Sequence, residues 1–313
     1  EITYGDWSSD VCSSDLKDVS RMKITNKLNL PPAIYNAVCN DQYDGNIENV
    51  YSATTLIKDA CEIILTNRHS AEIEEDASES LYALLGSALH EVLERAKEDE
   101  NEIREERLFY EFPEGAISGK FDSFDATEGN EVLRDYKCTS TWTAIYGDGG
   151  KYRAQLSIYL LLFQLVLNIR CRHAQIIQFF RDHSMSKAKF DKSYPQSPIR
   201  VIDYYFTDED IAQTEKDVRA KLREISALKD VPDDELPPCS AENRWETPTT
   251  YAVKKDGRKS ALRVLPSKEE AETWMELNDA KGCYIEERKG ESRKCVNYCK
   301  AAPFCKYYLT NCV

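Results

Sequence analysis

Two acids, an imidazole and an amine occur in this chain at spacings that suit phosphate-ester chemistry. Asp135 and Lys137 lie two residues apart in Glu131–Cys138, a segment whose alternation predicts a strand, so both side chains point to one face of a sheet. Leu133 shares that face and makes it partly apolar. Upstream, Gly119-Lys120-Phe121-Asp122 sets a second acid beside a glycine small enough to permit close approach. His90 stands within Gly86-Ser87-Ala88-Leu89-His90-Glu91, on a predicted helix. Two carboxylates and an imidazole suit Mg²⁺ or Mn²⁺, with the imidazole tilting the choice toward Mn²⁺. A lysine beside such an ion can orient an attacking water and offset charge developing on a phosphate. Each residue alone has a plainer reading: a solvated strand edge, a turn acid, a packed histidine. Their order and spacing carry the inference.

Elements that could position these residues are legible in the pattern. Leu30 to Arg68 reads as mainly helical, with Pro31-Pro32 at its start. A helix is predicted over Ser78–Lys97, where Leu81, Leu84, Leu85, Leu89, Val92 and Leu93 recur at three- and four-residue spacing. Three strands are predicted next, over Arg107–Phe112, Ala116–Asp125 and Glu131–Cys138. A strongly apolar helix follows over Tyr152–Leu167, then strands over His173–Arg181 and Arg200–Phe206 and a helix over Asp208–Leu228. That order predicts a layered α/β core. After Pro237-Pro238 the composition changes. Tyr251–Lys255 and Ser260–Leu265 flank Asp256-Gly257, a hairpin signal, and a short acidic helix from Ser267 to Leu277 precedes a cysteine-rich end.

The ordered set His90, Gly119-x-x-Asp122, Asp135-x-Lys137 and Gln155-x-x-x-Tyr159 resembles the RecB-like branch of the PD-(D/E)XK nucleases. The resemblance covers about residues 78–165. It implies a restriction-endonuclease-like core, a central mixed sheet flanked by helices, with His90, Asp122, Asp135 and the Tyr136 carbonyl as metal ligands. Lys137 would be the catalytic lysine, and Gln155 and Tyr159, one helical turn apart, would face the site or the DNA. Glu111 or Glu106 could add a further acid, but neither aligns with the pattern.

The chain has 11 cysteines. Cys295, Cys299 and Cys305 are packed into one short stretch, and no secretory signal precedes them, which points to metal binding rather than disulfides. Cys239, just after Pro237-Pro238, is the preferred fourth thiolate and Cys61 the alternative. Four thiolates can hold a [4Fe–4S] cluster or a zinc ion. The arrangement resembles the Fe–S-carrying RecB-like exonucleases, including the CRISPR-associated ones, and this favours the cluster. Cys283 and Cys312 are spare candidates.

The chain has 313 residues and 42% hydrophobic content, enough for a globular core. No apolar run is long enough to cross a bilayer, so no membrane partner is expected, and the localisation expected is the cytoplasm of a prokaryote or of a phage-infected host. The net charge of -14 argues against indiscriminate nucleic-acid binding and requires any DNA track to be locally basic. Asp6 to Leu16 reads DWSSDVCSSDL, the translation of a sequencing adapter, so residues 1–16 are set aside as artefact, with the natural start near Met22. The organisation expected beyond them is a helical region at 17–77, a nuclease core at 78–235 and an Fe–S region at 236–313. The expected activity is metal-dependent hydrolysis of DNA, single-stranded or at ends, by an exonuclease of recombination, end processing or defence. The alternatives are a non-catalytic Fe–S DNA-binding scaffold on the same fold and a zinc-stabilised partner-binding protein.

Overall fold

The computed structural model of the chain describes residues 22–40, 49–96 and 101–313. The adapter-like segment 1–16 and the predicted helix end at Lys97 lie outside the described residues. In chain order the elements are β1 (Lys23–Thr25), α1 (Pro32–Asn40), β2 (Val50–Ser52), α2 (Ala53–Leu56), α3 (Ala60–Arg68), β3 (Glu74–Asp76) and α4 (Leu81–Glu94). Then follow β4 (Glu102–Arg104), β5 (Arg107–Phe112), β6 (Gly115–Lys120), β7 (Ser123–Asp125), β8 (Val132–Thr139), α5 (Thr141–Tyr146) and α6 (Lys151–Leu162). A π turn at Phe163–Leu167 leads to β9 (His173–Phe180), α7 (Met185–Phe190), β10 (Ile199–Tyr205) and α8 (Asp208–Leu228). The remainder comprises β11 (Thr250–Lys255), β12 (Arg263–Leu265), α9 (Lys268–Leu277), β13 (Cys283–Arg288), α10 (Arg293–Asn297) and α11 (Lys306–Asn311).

The chain divides into two compact units, Glu1–Ile57 with Asn67–Ser226, and Lys58–Thr66 with Ala227–Val313. The first unit is built on a five-stranded mixed sheet of order β10-β9-β8-β7-β4, with β8 and β9 parallel and the other neighbours antiparallel. A three-stranded sheet of order β2-β6-β5 accompanies it. Parallel β8 and β9 require a crossover, and α6 supplies it. Residues 155–163 are all buried, so this part of the chain is enclosed on every side as a core helix should be. Phe163 meets Phe121 and Phe124 edge to face at 4.8 and 4.7 Å. The restriction-endonuclease-like α/β architecture expected from the sequence is therefore present.

Several local expectations are corrected. The stretch Ala116–Asp125 is two strands, because the chain passes from one sheet to the other at Phe121-Asp122: β6 pairs with β5 and β7 with β8. The region read as helical contains β2, which joins β6 in parallel, and is followed by β3, which pairs with β1. Short β-branched or aromatic triplets such as Val50-Tyr51-Ser52 become strands through a distant partner, and helical periodicity cannot announce that. Helix α4 forms, but no residue of it is buried.

In the second unit β12-β11-β13 form an antiparallel sheet, and the predicted Asp256-Gly257 hairpin is its first turn, with Gly257 at φ 77°. Helix α9 starts at Ser267, whose hydroxyl accepts from Glu270 N–H as an N-cap. The segment 58–66, distant in sequence, belongs to this unit.

Candidate active site

The site is assembled where the chain crosses between the five-stranded sheet and the β2-β6-β5 sheet. Asp122 occupies the crossover and is buried; its Oδ2 accepts from the Tyr136 N–H of β8, which fixes the carboxylate against that strand. His90, on α4, brings Nδ1 to 3.2 Å from Asp122 Oδ1 and 3.5 Å from Glu105 Oε1. Glu105 lies between β4 and β5, at the matching crossover on the other chain segment. Its N–H donates to the Asp122 carbonyl, and its φ of 52° is a left-handed conformation that glutamate adopts at a cost. The kink turns the side chain into the site, where Lys120 Nζ meets Oε2 at 2.7 Å. One ligand atom each from His90, Glu105 and Asp122 lies within 4.8 Å of the others. Glu106 and Glu111, the acids suggested by sequence, are exposed.

The expected alternation holds along β8. Asp135 is buried, and Lys137 Nζ lies 2.6 Å from its Oδ2. Gln155 Nε2 donates to Asp135 Oδ1 at 3.1 Å and to Tyr159 Oη at 2.7 Å. Gln155 and Tyr159 are therefore buried behind Asp135 and face the site, not solvent. Gly119 lets α6 come this close: a Cβ there would sit 2.7 Å from Tyr159 Cδ1 and from Leu162 Cδ1. Gln178 on β9 is in register with Lys137 and buried, and its Oε1 meets no donor among the described residues. Glu105 and Gln178 escaped the sequence reading. The signal for Gln178 was a polar residue within an otherwise apolar strand end; Glu105 had no local signal at all.

The acids of the site are balanced by cations drawn up against them. Hydrogen bonds to Asp122 and Glu105 push His90 up to about 10, so a proton sits between two carboxylates. Burial opposes the charge of Glu105, but bonding to His90 and Lys120 holds its carboxyl below the usual range. Burial raises Asp135 to about 6, and the ammonium of Lys137 opposes that rise. Lys137 remains a cation despite its own burial, because Asp135 lies against it. Asp122 and His90 both act electrostatically on Asp135, so it belongs to the same field although it stands outside the trio.

This donor set fits a hard divalent cation. One imidazole and two carboxylates converge, the imidazole holds a proton that a cation could replace, and the buried Asp135 carboxylate stands close by against the Lys137 ammonium.

The second unit gathers the cysteines. The Cys61 thiol, buried on α3, is hydrogen-bonded to Cys239 and Cys305; this raises Cys61 and lowers the other two, Cys305 to about 6. Burial pushes Cys295 up to about 12, and the Cys299, Cys239 and Cys305 sulfurs add to the rise. None of these cysteines is in a disulfide. Ser240 N–H donates to Asp59 Oδ2 at 2.7 Å, and Lys294 pairs with Glu62. These bonds hold the loop of Cys239 and the helix of Cys295 to the α3 turn that bears Cys61. Both sequence candidates for the fourth thiol thus stand in one cluster. Cys283 is on β13, opposite Lys255.

The profile of the PD-(D/E)XK nuclease superfamily matches residues 47–241. No curated protein matches the chain. Among solved structures, one titled "Crystal structure of SSO0001" is similar at 16% identity and a TM-score of 0.43, over 61% of this chain and 86% of that one. A second, "Crystal Structure of LHK-Exo in complex with dAMP", shares 15% identity with a TM-score of 0.29, over 57% of this chain and 89% of that one. The matched span contains the crossover acid, the histidine that faces it and the Asp-x-Lys strand, and the chain belongs to the PD-(D/E)XK nuclease superfamily.

Proposed function

We propose that the protein is a divalent-metal-dependent deoxyribonuclease that hydrolyses phosphodiester bonds at DNA ends or in single strands, in recombination, end processing or defence. The observation that carries this reading is the meeting of His90, Glu105 and Asp122 beside the Asp135–Lys137 pair. His90, Glu105 and Asp122 would hold Mg²⁺ or Mn²⁺, with Asp135 and the Tyr136 carbonyl at the β8 side. The ion supplies Lewis-acid polarisation of the phosphate and eases deprotonation of water. Lys137 stays protonated and offsets the negative charge that gathers on the phosphate oxygens as water attacks. Gln155, itself held by Tyr159, orients the Asp135 carboxylate. Gln178, in register with Lys137 on β9, would offer its side-chain carbonyl to the lysine if Asp135 served as a ligand.

In the second unit Cys239, Cys295, Cys299 and Cys305 would hold a [4Fe–4S] cluster, with zinc as the alternative occupant. Five partly or fully buried thiols without disulfides fit soft metal chemistry. Cys61 is then a fifth thiol, bonding to two of the ligands. An iron and sulfide analysis of anaerobically purified protein separates the two occupants, and Cys61→Ser against Cys239→Ser separates the two ligand sets.

The test of function is Mn²⁺- and Mg²⁺-dependent cleavage of end-labelled linear DNA by wild type and Lys137→Ala. Label is expected to be lost with wild type only, with a rate difference of about 10²–10³-fold or more, while the variant still binds DNA. Cleavage by Lys137→Ala at the wild-type rate removes Lys137 from the mechanism. No cleavage by cluster-loaded wild type turns the reading to a non-catalytic Fe–S DNA-binding scaffold.

A further inference from the structure

The parallel strands β8 and β9 end side by side, with Thr139 opposite Phe180, and each runs into a short helix. From β8 comes α5, which carries Trp142 and Tyr146, 64% and 69% exposed. Their rings are stacked, with centroids 4.3 Å apart and planes 24° from parallel. Large aromatic rings left in water and already ordered against each other present a preformed face to a third ring. Ile145 is exposed on the same helix.

Helix α5 is anchored, not loose. Ser140 is its N-cap, and Asp182, just beyond β9, accepts from Thr141 N–H at 2.7 Å and from Ser140 Oγ at 2.9 Å. Burial works against the charge of Asp182, but these donors hold its carboxyl below the usual range. Arg181 N–H donates to the Thr139 carbonyl, and Arg200 Nη1 donates to the Ala144 carbonyl at 3.3 Å.

The neighbouring segment is basic in an acidic chain. Residues 181–200 contain Arg181, Lys187, Lys189, Lys192 and Arg200 against two acids, Asp182 and Asp191, in a protein whose net charge is -14. All five cations are exposed. Both acids are engaged locally: Asp182 as described, Asp191 with the N–H and hydroxyl of Ser193. Arg181 also lies over the ring of Tyr82 on α4, at 4.2 Å from its centroid. Phe190, on α7 among the lysines, is 88% exposed.

We infer that the Trp142–Tyr146 stack and the basic rim of residues 181–200 form a docking platform for single-stranded nucleic acid leading to the Asp135–Lys137 strand. Bases stack on the indole and phenol rings, and phosphates follow Arg181, Lys187, Lys189 and Lys192. This inference rests on the nuclease reading and names the form of its substrate. Aromatic faces interleaved with cations are what single strands recognise, because every unpaired base has a π face and every linkage a charge. A duplex keeps its base faces turned to one another and offers only its terminal pair. Trp142 follows Lys137 by five residues, so their Cα atoms are no more than about 18 Å apart. A strand held on the platform is therefore within a few nucleotides of Lys137. The negative remainder of the surface repels phosphate and leaves this rim as the favourable approach.

The test is fluorescence anisotropy of a fluorescein-labelled oligothymidylate with full-length, cluster-loaded protein in the absence of added divalent metal. Trp142→Ala/Tyr146→Ala is expected to lose about tenfold or more in affinity, the effect of removing stacking partners. Trp142→Phe/Tyr146→Phe, which keeps π faces, should recover most of it and shows that the alanine variant failed through stacking and not through misfolding. The triple variant Lys187→Ala/Lys189→Ala/Lys192→Ala should flatten the salt dependence of binding. Wild-type affinity in the double alanine variant, or an equal loss toward blunt duplex DNA, overturns the platform. Hydrolysis of thymidine 5′-(p-nitrophenyl phosphate) by wild type with Mn²⁺, measured in parallel, reports the active site alone. Its absence counts against the nuclease reading, whereas hydrolysis with undiminished oligonucleotide binding by the alanine variant counts against the platform only.

Discussion

The two units each gather side chains suited to a metal, but they position them by different means. In the first, hard donors stand on a framework of paired strands and packed apolar side chains: a five-stranded sheet, a buried crossover helix and an aromatic cluster around Phe163. Asp122 is fixed by a peptide N–H and Glu105 by a backbone kink, and a proton on His90, held between them, balances the acids. In the second, soft thiols stand on or beside helices of five or six residues, in loops and on one turn of α3. Helices that short do not sustain themselves. The first site is thus preorganised by the fold, whereas a group bound by the second would itself be part of the fold.

The largest effect is expected from removing a thiol. Cys295→Ser should make residues after about Ala227 sensitive to limited proteolysis while the 101–226 region stays resistant, because thiolate–metal binding energies on the order of 10 kcal/mol are coupled to folding. Equal resistance of wild type and variant would show that the second unit folds without its bound group. By contrast, chelating divalent metal should leave the proteolysis pattern of the first unit as it was.

A smaller effect is expected from Gly119→Ala. Its Cβ would meet Tyr159 and Leu162 at 2.7 Å, so α6 must shift, at about 1–3 kcal/mol of stability read from a denaturant melt. Activity should fall further than stability, since the Gln155–Tyr159 pair that orients Asp135 moves with the helix. A variant with full stability and activity would mean that the close packing does not position the site.

Glu105→Gln should weaken Mn²⁺ binding about 10–100-fold by calorimetry, the range found when a group supporting a metal site is lost, without loss of fold. Unchanged affinity would return Glu105 to a partner of Lys120 and nothing more.

The mildest expectation concerns pH. His90 is raised to about 10 in the cation-free protein, so Mn²⁺ must displace a proton. Affinity should rise with pH by up to about tenfold per unit through the neutral range and level off near that value. The stability that the proton contributes runs the other way: it is fully present below the unfolded histidine value of about 6.5 and is lost as pH passes 10. Calorimetry in buffers of different ionisation enthalpy counts the proton directly, and zero release would contradict the trio.

The local part of this design was readable in the residues. Period-two alternation put Asp135 and Lys137 on one face, four-residue spacing put Gln155 over Tyr159, and the helix predicted over Asp208–Leu228 is α8 to the residue. The cysteine grouping and the glycine that admits α6 were legible too, because composition and small size are properties of a position. These features depend on neighbours within a turn or two of chain, which is why local residue order suffices for them.

Tertiary structure decided what distant segments do to one another. Asp122 became a crossover residue because β6 and β7 find partners in different sheets. Glu105, not Glu106 or Glu111, entered the trio because a left-handed backbone angle at the opposing crossover turns its side chain inward. Cys61 joined the C-terminal thiols because Asp59 and Glu62 are bonded to Ser240 and Lys294. Each outcome depends on strand pairing or chain closure across many tens of residues, set by global packing and carrying no local periodicity.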